Sequence, residues 1–577
     1  MILLCIIHLP ILLACLLPCL KKRTAALGWL GVLAALPAGV LAWSGVVWPE
    51  VVFADLFLGS VLVLDPLRLV FLALTGTLWT LAGWYARSYL ADDARAGRFQ
   101  CFFLLSMAGN FGLILAADLI TFYGFFVLMT FASYGLVVHQ ADPEAHRAGR
   151  IYLIMSLLGE VLLLSAMFLA VDAAGGQLRL DALSSAIGES PNRGLICTLA
   201  FLGFGVKAGA VPLYFWLPLA HPVAPTPASA VLSGAMIKAG LLGWIHFLPL
   251  GEQALPTGSG TLIFLGFLAA FGAAGLGLCQ QNAKTILAYS SISQMGLMTV
   301  LLGISLAHPA LWPVAAPALA LFALHHGLAK GALFLGTGLL PVCPARWRRW
   351  VWAGLALAAL AIAGAPLTSG ALAKYGLKEV IAGTHHPDAG WLLLLLTLSA
   401  ITTSLLLAKF LRMLGRGKQP AAHGTFAGLG VPWAVLILFV ALGPYFAVMH
   451  FGLPLPFPPL TWGNLVGGLW PVLAGGMIFV GFLRLAPQAW RAIRIPAGDG
   501  IVLIERLITT LYRKIPFNWG DWWDREFLNF TTLSDRIMDI ESTRSVVNRI
   551  EPRLGIWAVV GFILIGLILC FISLLIL

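Results

Sequence analysis

Five lysines, two histidines and one glutamate stand inside otherwise apolar runs of this chain: Lys207, Lys238, Lys330, Lys374, Lys409, His325, His326 and Glu160. A lysine at the centre of a membrane helix costs about 2.5–3.5 kcal/mol even on the lenient insertion scale. Such a residue persists where a partner, a water path or a function holds it. Out of water, a lysine becomes a proton carrier near neutral pH. One buried lysine is as readily half of a structural ion pair. Five in separate spans, near their middles and with a single clear acid, fit a polar axis that carries ions. The adjacent histidines could suggest haem or metal ligation. With Lys330 one turn on, hydrogen-bonding links in the same axis are the better reading.

The elements that must position these groups follow from composition. Of 577 residues, 60% are hydrophobic and 10% charged, against roughly 25% charged in soluble domains. The solvent must be lipid. The net charge of +11 sits in short clusters such as Lys21-Lys22-Arg23 or Arg346, Arg348 and Arg349. That pattern orients helices and does not bind nucleic acid. The eight cysteines form no CxxC, so neither disulfides nor a metal site is expected. No iron–sulfur cluster motif, GxGxxG after a strand or P-loop is present, so no cofactor is expected.

Apolar runs of about 20 residues mark spanning helices. Sixteen are expected, near 2–20, 25–47, 66–88, 101–117, 119–138, 150–171, 194–215, 228–249, 260–278, 285–304, 313–340, 351–380, 391–412, 430–450, 466–487 and 555–577. The first is not expected to be a cleaved signal, because its charges follow the apolar run. Seven alternate loops carry eighteen Lys and Arg, and the others only Arg179 and Arg193. The bias predicts an inner-membrane, multi-pass protein with both termini outside. Residues 495–553 are polar, with Leu503, Leu507 and Leu511 beside Trp519, Trp522 and Trp523. They read as a cytoplasmic linker or as an amphipathic helix lying along the membrane.

Proline and glycine interrupt two runs beside buried lysines: Lys207 is followed by Pro212, and Gly364, Pro366, Ser369 and Gly370 precede Lys374. Interrupted helices in lipid line wet cavities or protein interiors, and paired interruptions in two halves point to transport sites. Lys207 to Lys238 is 31 residues and Lys374 to Lys409 is 35, a hint of a five-helix repeat. The expected divisions are N-terminal helices at 1–100, a first repeat at 101–250 and a second at 260–415. C-terminal helices at 430–490, the lateral segment at 495–553 and a last helix at 555–577 complete them.

Taken together, Gly203-Phe-Gly-Val-Lys207 with the run to Pro218, His221-Pro-Val-Ala-Pro-Thr-Pro-Ala-Ser-Ala230 and Val231-Leu-Ser-Gly-Ala-Met-Ile-Lys238 form one signature. Asn282 to Gly296, His325 to Leu335 and Pro366 to Lys374 extend it. The set resembles the antiporter-like subunits of respiratory complex I, Mrp-type cation/proton antiporters and membrane-bound hydrogenases, over about residues 60–415. The resemblance implies an all-α polytopic fold with two inverted five-helix repeats, broken helices and, in the largest subunit type, a lateral amphipathic helix before the last span. It implies that Lys207 is the pump lysine, Lys238 the connecting one and Lys330 the linking one. Lys374 would be the terminal lysine, facing the outer half-channel. Glu160 sits where that subunit type has an acid on its sixth helix. Its partners would be other membrane subunits, a peripheral soluble subunit, H⁺ and Na⁺.

One departure stands out. The family's fifth-helix glutamate is replaced by Val127. Either Glu160 substitutes as partner of Lys207, or the first half-channel is altered, or the chain no longer pumps. Three functions follow: an ion-translocating subunit, a membrane partner coupling proton flow to another uptake such as inorganic carbon, and a non-pumping anchor. Lysines retained in both halves speak against the anchor.

Overall fold

The computed structural model describes residues 2–17, 24–53, 59–384, 389–416, 424–458, 460–485, 495–498 and 500. They form one large unit, Met1–Ala14 with Arg23–Asp499. The second unit, Cys15–Lys22 with Gly500–Leu577, lies almost wholly outside the described residues. So do the expected lateral helix and final span.

The described chain is nearly all helical. It begins with α1 (Ile2–Leu16) and α2 (Thr24–Trp43), followed by an antiparallel hairpin of β1 (Trp48–Phe53) and β2 (Ser60–Leu64), then α3 (Pro66–Tyr89). The hairpin was not foreseen. Its β-branched run Val61-Leu-Val63 suits a strand, and Asp118 accepts the Val61 N–H at 2.7 Å. A first group comprises α4 (Ala96–Leu115), α5 (Leu119–Val137), α6 (Pro143–Ala173), the short α7 (Leu180–Glu189), α8 (Arg193–Ala208), α9 (Trp216–Val223), α10 (Thr226–Val231) and α11 (Ile237–Phe247). A second comprises α12 (Pro256–Leu278), α13 (Ala283–Ala307), α14 (Trp312–Leu339), α15 (Ala345–Ala363), α16 (Ser369–Ala382) and α17 (Ala389–Arg416). Then come α18 (Phe426–His450) and α19 (Trp462–Leu485).

Eleven helical segments among the described residues are long and apolar enough to cross a membrane. α1 and the Gly28–Trp43 part of α2 are apolar but shorter. Two of the expected spans are divided. The run near 194–215 becomes α8 and α9, separated by residues 209–215, and 351–380 becomes α15 and α16, separated by 364–368. Gly209 and Gly364 end the first members with φ of +73° and +86°, the left-handed cap that glycine adopts without strain. In each group the fourth crossing is therefore the broken one. The breaks leave helix-end carbonyls and N–H groups at mid-chain depth, where side chains must satisfy them.

Close helix approach depends on small residues. A Cβ on Gly234 would stand 2.8 Å from the Gly327 carbonyl oxygen, and one on Gly203 would stand 3.1 Å from that of Gly159. Each of these four glycines lies within four residues of a charged or histidine side chain of the axis, so backbone contact brings those side chains together.

The charge bias predicts sidedness. An Arg416→Cys chain, made without its native cysteines, should resist a membrane-impermeant maleimide applied to intact cells, whereas Ala382→Cys should react. Labelling at position 416 from outside would invert the assignment.

Candidate functional site

In the first group, Glu160 on α6 and Lys207 on α8 are both buried, at 7% and 5% exposure. They share the wall of a cavity of about 10 Å³ with Tyr152, Ser156, Thr130 and Trp216, about the space one water needs. They form no ion pair. Lys207 Nζ donates to Tyr152 Oη at 2.8 Å, 5.2 Å from the ring centroid, and Tyr152 in turn donates to the Thr130 carbonyl at 2.7 Å. Glu160 lies near Tyr123 of α5, and its Oε2 has no hydrogen-bond partner. A buried carboxylate oxygen without a partner, facing a water-sized space next to an ammonium, is a place for a bridging water. Tyr152, Ser156 and Glu160 recur at every fourth position of α6, a polar stripe legible in the sequence that was not used. Asp118 is spent on structure: it caps α5 through Thr121 N–H at 2.8 Å and holds Val61.

The two groups meet at α14. His325 and His326 are neighbours, so a helix turns their side chains about 100° apart. His326 Nδ1 lies 2.9 Å from Lys238 Nζ, which also donates to the Ser233 carbonyl at 3.0 Å. Ser233 belongs to a π-helical turn, Leu232–Met236, joining α10 to α11. Such turns free a carbonyl from the regular ladder and recur at functional sites. His325 Nδ1 lies 2.9 Å from Ser369 Oγ, the first residue of α16. The pair thus touches the first group with one ring and the second broken helix with the other.

Lys330, fully buried one turn on from His326, donates to the Leu287 carbonyl of α13 at 2.8 Å. Ser291 Oγ bonds the same carbonyl at 3.0 Å and Ser233 Oγ at 2.7 Å, a second polar link between α13 and the Lys238 turn. Lys374 donates to the Ala363 carbonyl at 2.8 Å. That carbonyl is the last of α15, released by the break, and the negative end of a helix suits an ammonium.

Lys409 is placed differently from the expectation of a mid-span group. It bonds the Leu278 carbonyl at the very end of α12, the position of a helix cap. The direct links among these groups are Lys238 to His326 and His325 to Ser369 of the helix that bears Lys374. Sequence reading gave no polar role to Tyr152, Tyr123, Ser233, Ser291 and Ser369, which carry no charge to mark them. It also missed His221 on α9, fully buried against Phe334 at 4.6 Å with neither ring nitrogen bonded.

The architecture is that of a polytopic helical membrane protein with paired broken helices and buried amines and imidazoles. Residues 116–402 match the family described as NADH:quinone oxidoreductase/Mrp antiporter, TM. Hydrogenase-4 component B of Escherichia coli is 30% identical over 64% of this chain and 58% of its own length. The Na(+)/H(+) antiporter subunit A1 of Staphylococcus haemolyticus is 32% identical over 57% of this chain and 43% of its own. The chain thus spans about half the length of these relatives. Among solved structures, the Mrp complex from Dietzia sp. DQ12-45-1b shares the fold at a TM-score of 0.70 and 21% identity, over 94% of this chain and 63% of that one. The archaeal membrane-bound sulfane sulfur reductase does so at 0.65 and 20%, over 98% and 99%.

Proposed function

We propose that this chain is an ion-translocating subunit of a multi-subunit complex in the cell inner membrane, moving protons along the Glu160–Lys374 axis. The observation that carries the reading is the histidine pair: one ring is bonded to Lys238 and the other to the helix that bears Lys374. Protonation of one member changes the field at the next over a few ångströms of low-dielectric interior. A charge arriving at Lys207 would therefore bias Lys238, then Lys330 and Lys374, and the retained lysines of both groups are what such a relay requires. The names of the relatives, a hydrogenase component and an antiporter subunit, support an assembly with other membrane subunits. A peripheral soluble subunit is part of the same reading.

The partners discriminate among complexes. The full chain, tagged and extracted in mild detergent, should co-purify with further membrane subunits and with iron–sulfur proteins if it serves a redox complex. Recovery of one large soluble zinc protein instead would move the assignment to an uptake system driven by proton flow. Recovery of the chain alone would remove the multi-subunit reading.

A further inference from the structure

Lys378 lies one turn beyond Lys374 on α16 and is half-buried. Both lysines line a cavity of about 70 Å³ between α16, α17 and α19, walled further by Tyr375, Thr397, Asn464 and Pro458. At roughly 10–15 Å³ per water, the space holds a small cluster. Asn464 at its rim is exposed, and the charge bias assigns the end of α16 and the start of α19 to the outer side. No carboxylate is among the lining residues. The acid next in sequence, Glu379, is outside the lining. The cavity is the outward end of the axis, and its fixed charges are all ammonium.

That wall treats two ions differently. A metal cation passing through must enter as a charge and find oxygen ligands to replace its water. Pores for cations are lined by carboxylates or carbonyls, and lysine-lined ones reject cations. A unit charge about 6 Å from another, at the effective dielectric of a protein site, is depleted about a hundredfold. A proton need not cross as a separate ion. The neutral amine of Lys378 can take it from Lys374 through one water and release it outward. Na⁺ lacks that route, because an amine that has given up its proton binds H⁺ and a protonated one repels the metal ion.

We propose that Lys378 makes this outlet selective for protons over Na⁺, with Lys374 as the group that delivers the proton to the water cluster. The inference rests on the ion-path reading above and names its ion. Inside-out membrane vesicles from cells making the full chain with its native partners provide the test, with a pH-sensitive dye and radioactive Na⁺ as readouts. The unaltered protein should move protons at a rate indifferent to Na⁺. Lys378→Asp should admit Na⁺, raising its uptake on the order of a hundredfold, and proton movement should become Na⁺-inhibited. Lys378→Gln, milder and expected to accumulate normally, should show the same change to a smaller degree. Lys378→Asp and Lys378→Gln vesicles that stay tight to Na⁺, or unaltered vesicles that already carry it, would overturn the proposal. Lys374→Ala separates the two levels. Proton movement that survives it defeats the ion path itself. Loss there, with Na⁺-tight Lys378 variants, defeats only the selectivity.

Discussion

Glu160→Gln is expected to abolish ion-coupled activity, with a loss of about 10²-fold or more, the usual scale for removing an essential proton-transferring group. The argument is one of supply. Lys207 must be charged for part of its cycle, and a lone buried ammonium is unfavourable. Among the residues lining its cavity, Glu160 is the sole acid. Glutamine keeps the shape but cannot take a charge. Val127→Glu in the Glu160→Gln background should recover part of the activity. Val127 does not line the cavity itself. It shares a face of α5 with Tyr123, one turn before it, and Thr130, one turn after it, however, and these two contact Glu160 and the cavity wall respectively. A glutamate there reaches the same space. Proton uptake by vesicles carrying each variant is the measurement. Full activity in Glu160→Gln would mean that the first group is not a proton path.

Lys330→Met should separate activity from stability. Methionine matches the lysine stem in length and removes a buried charge whose desolvation opposes folding. Thermal stability of the purified chain should hold or rise. Transport should fall about 10²-fold, because Lys330 stands beside the histidine pair where the two groups of helices meet. The Leu287 carbonyl loses one donor but keeps Ser291. A melting curve and vesicle transport on the same preparation decide the matter. A chain that melts early yet still transports would assign Lys330 to packing alone.

Much of this was legible because lipid leaves few options. Apolar length fixed most helices, and the glycine–proline runs after Lys207 and before Lys374 announced both breaks, since neither residue continues a helical ladder. The β1–β2 hairpin was not legible: it is short, and its hydrogen bonds close onto Asp118, which is 57 residues from Val61. Lys409 shares its type and its apolar surroundings with the other lysines, so the sequence does not show its partner, the Leu278 carbonyl. Only the neighbouring end of α12 shows that its charge answers a helix terminus.

The sequence alone determined that this is a polytopic membrane protein, which side its basic loops prefer, and which residues carry charge into the bilayer. These are properties of composition and of the cost of burying charge. It also contained the pairing of broken helices, because backbone breaks are local. Tertiary structure decided which groups face one another. Glu160 and Lys207 share a water-sized cavity without touching, His325 and His326 point to different halves, and Lys378 joins Lys374 at one outlet. Those arrangements depend on helix rotation and on glycine contacts such as Gly234 against Gly327. Such contacts join residues 93 positions apart, and no local pattern encodes that separation.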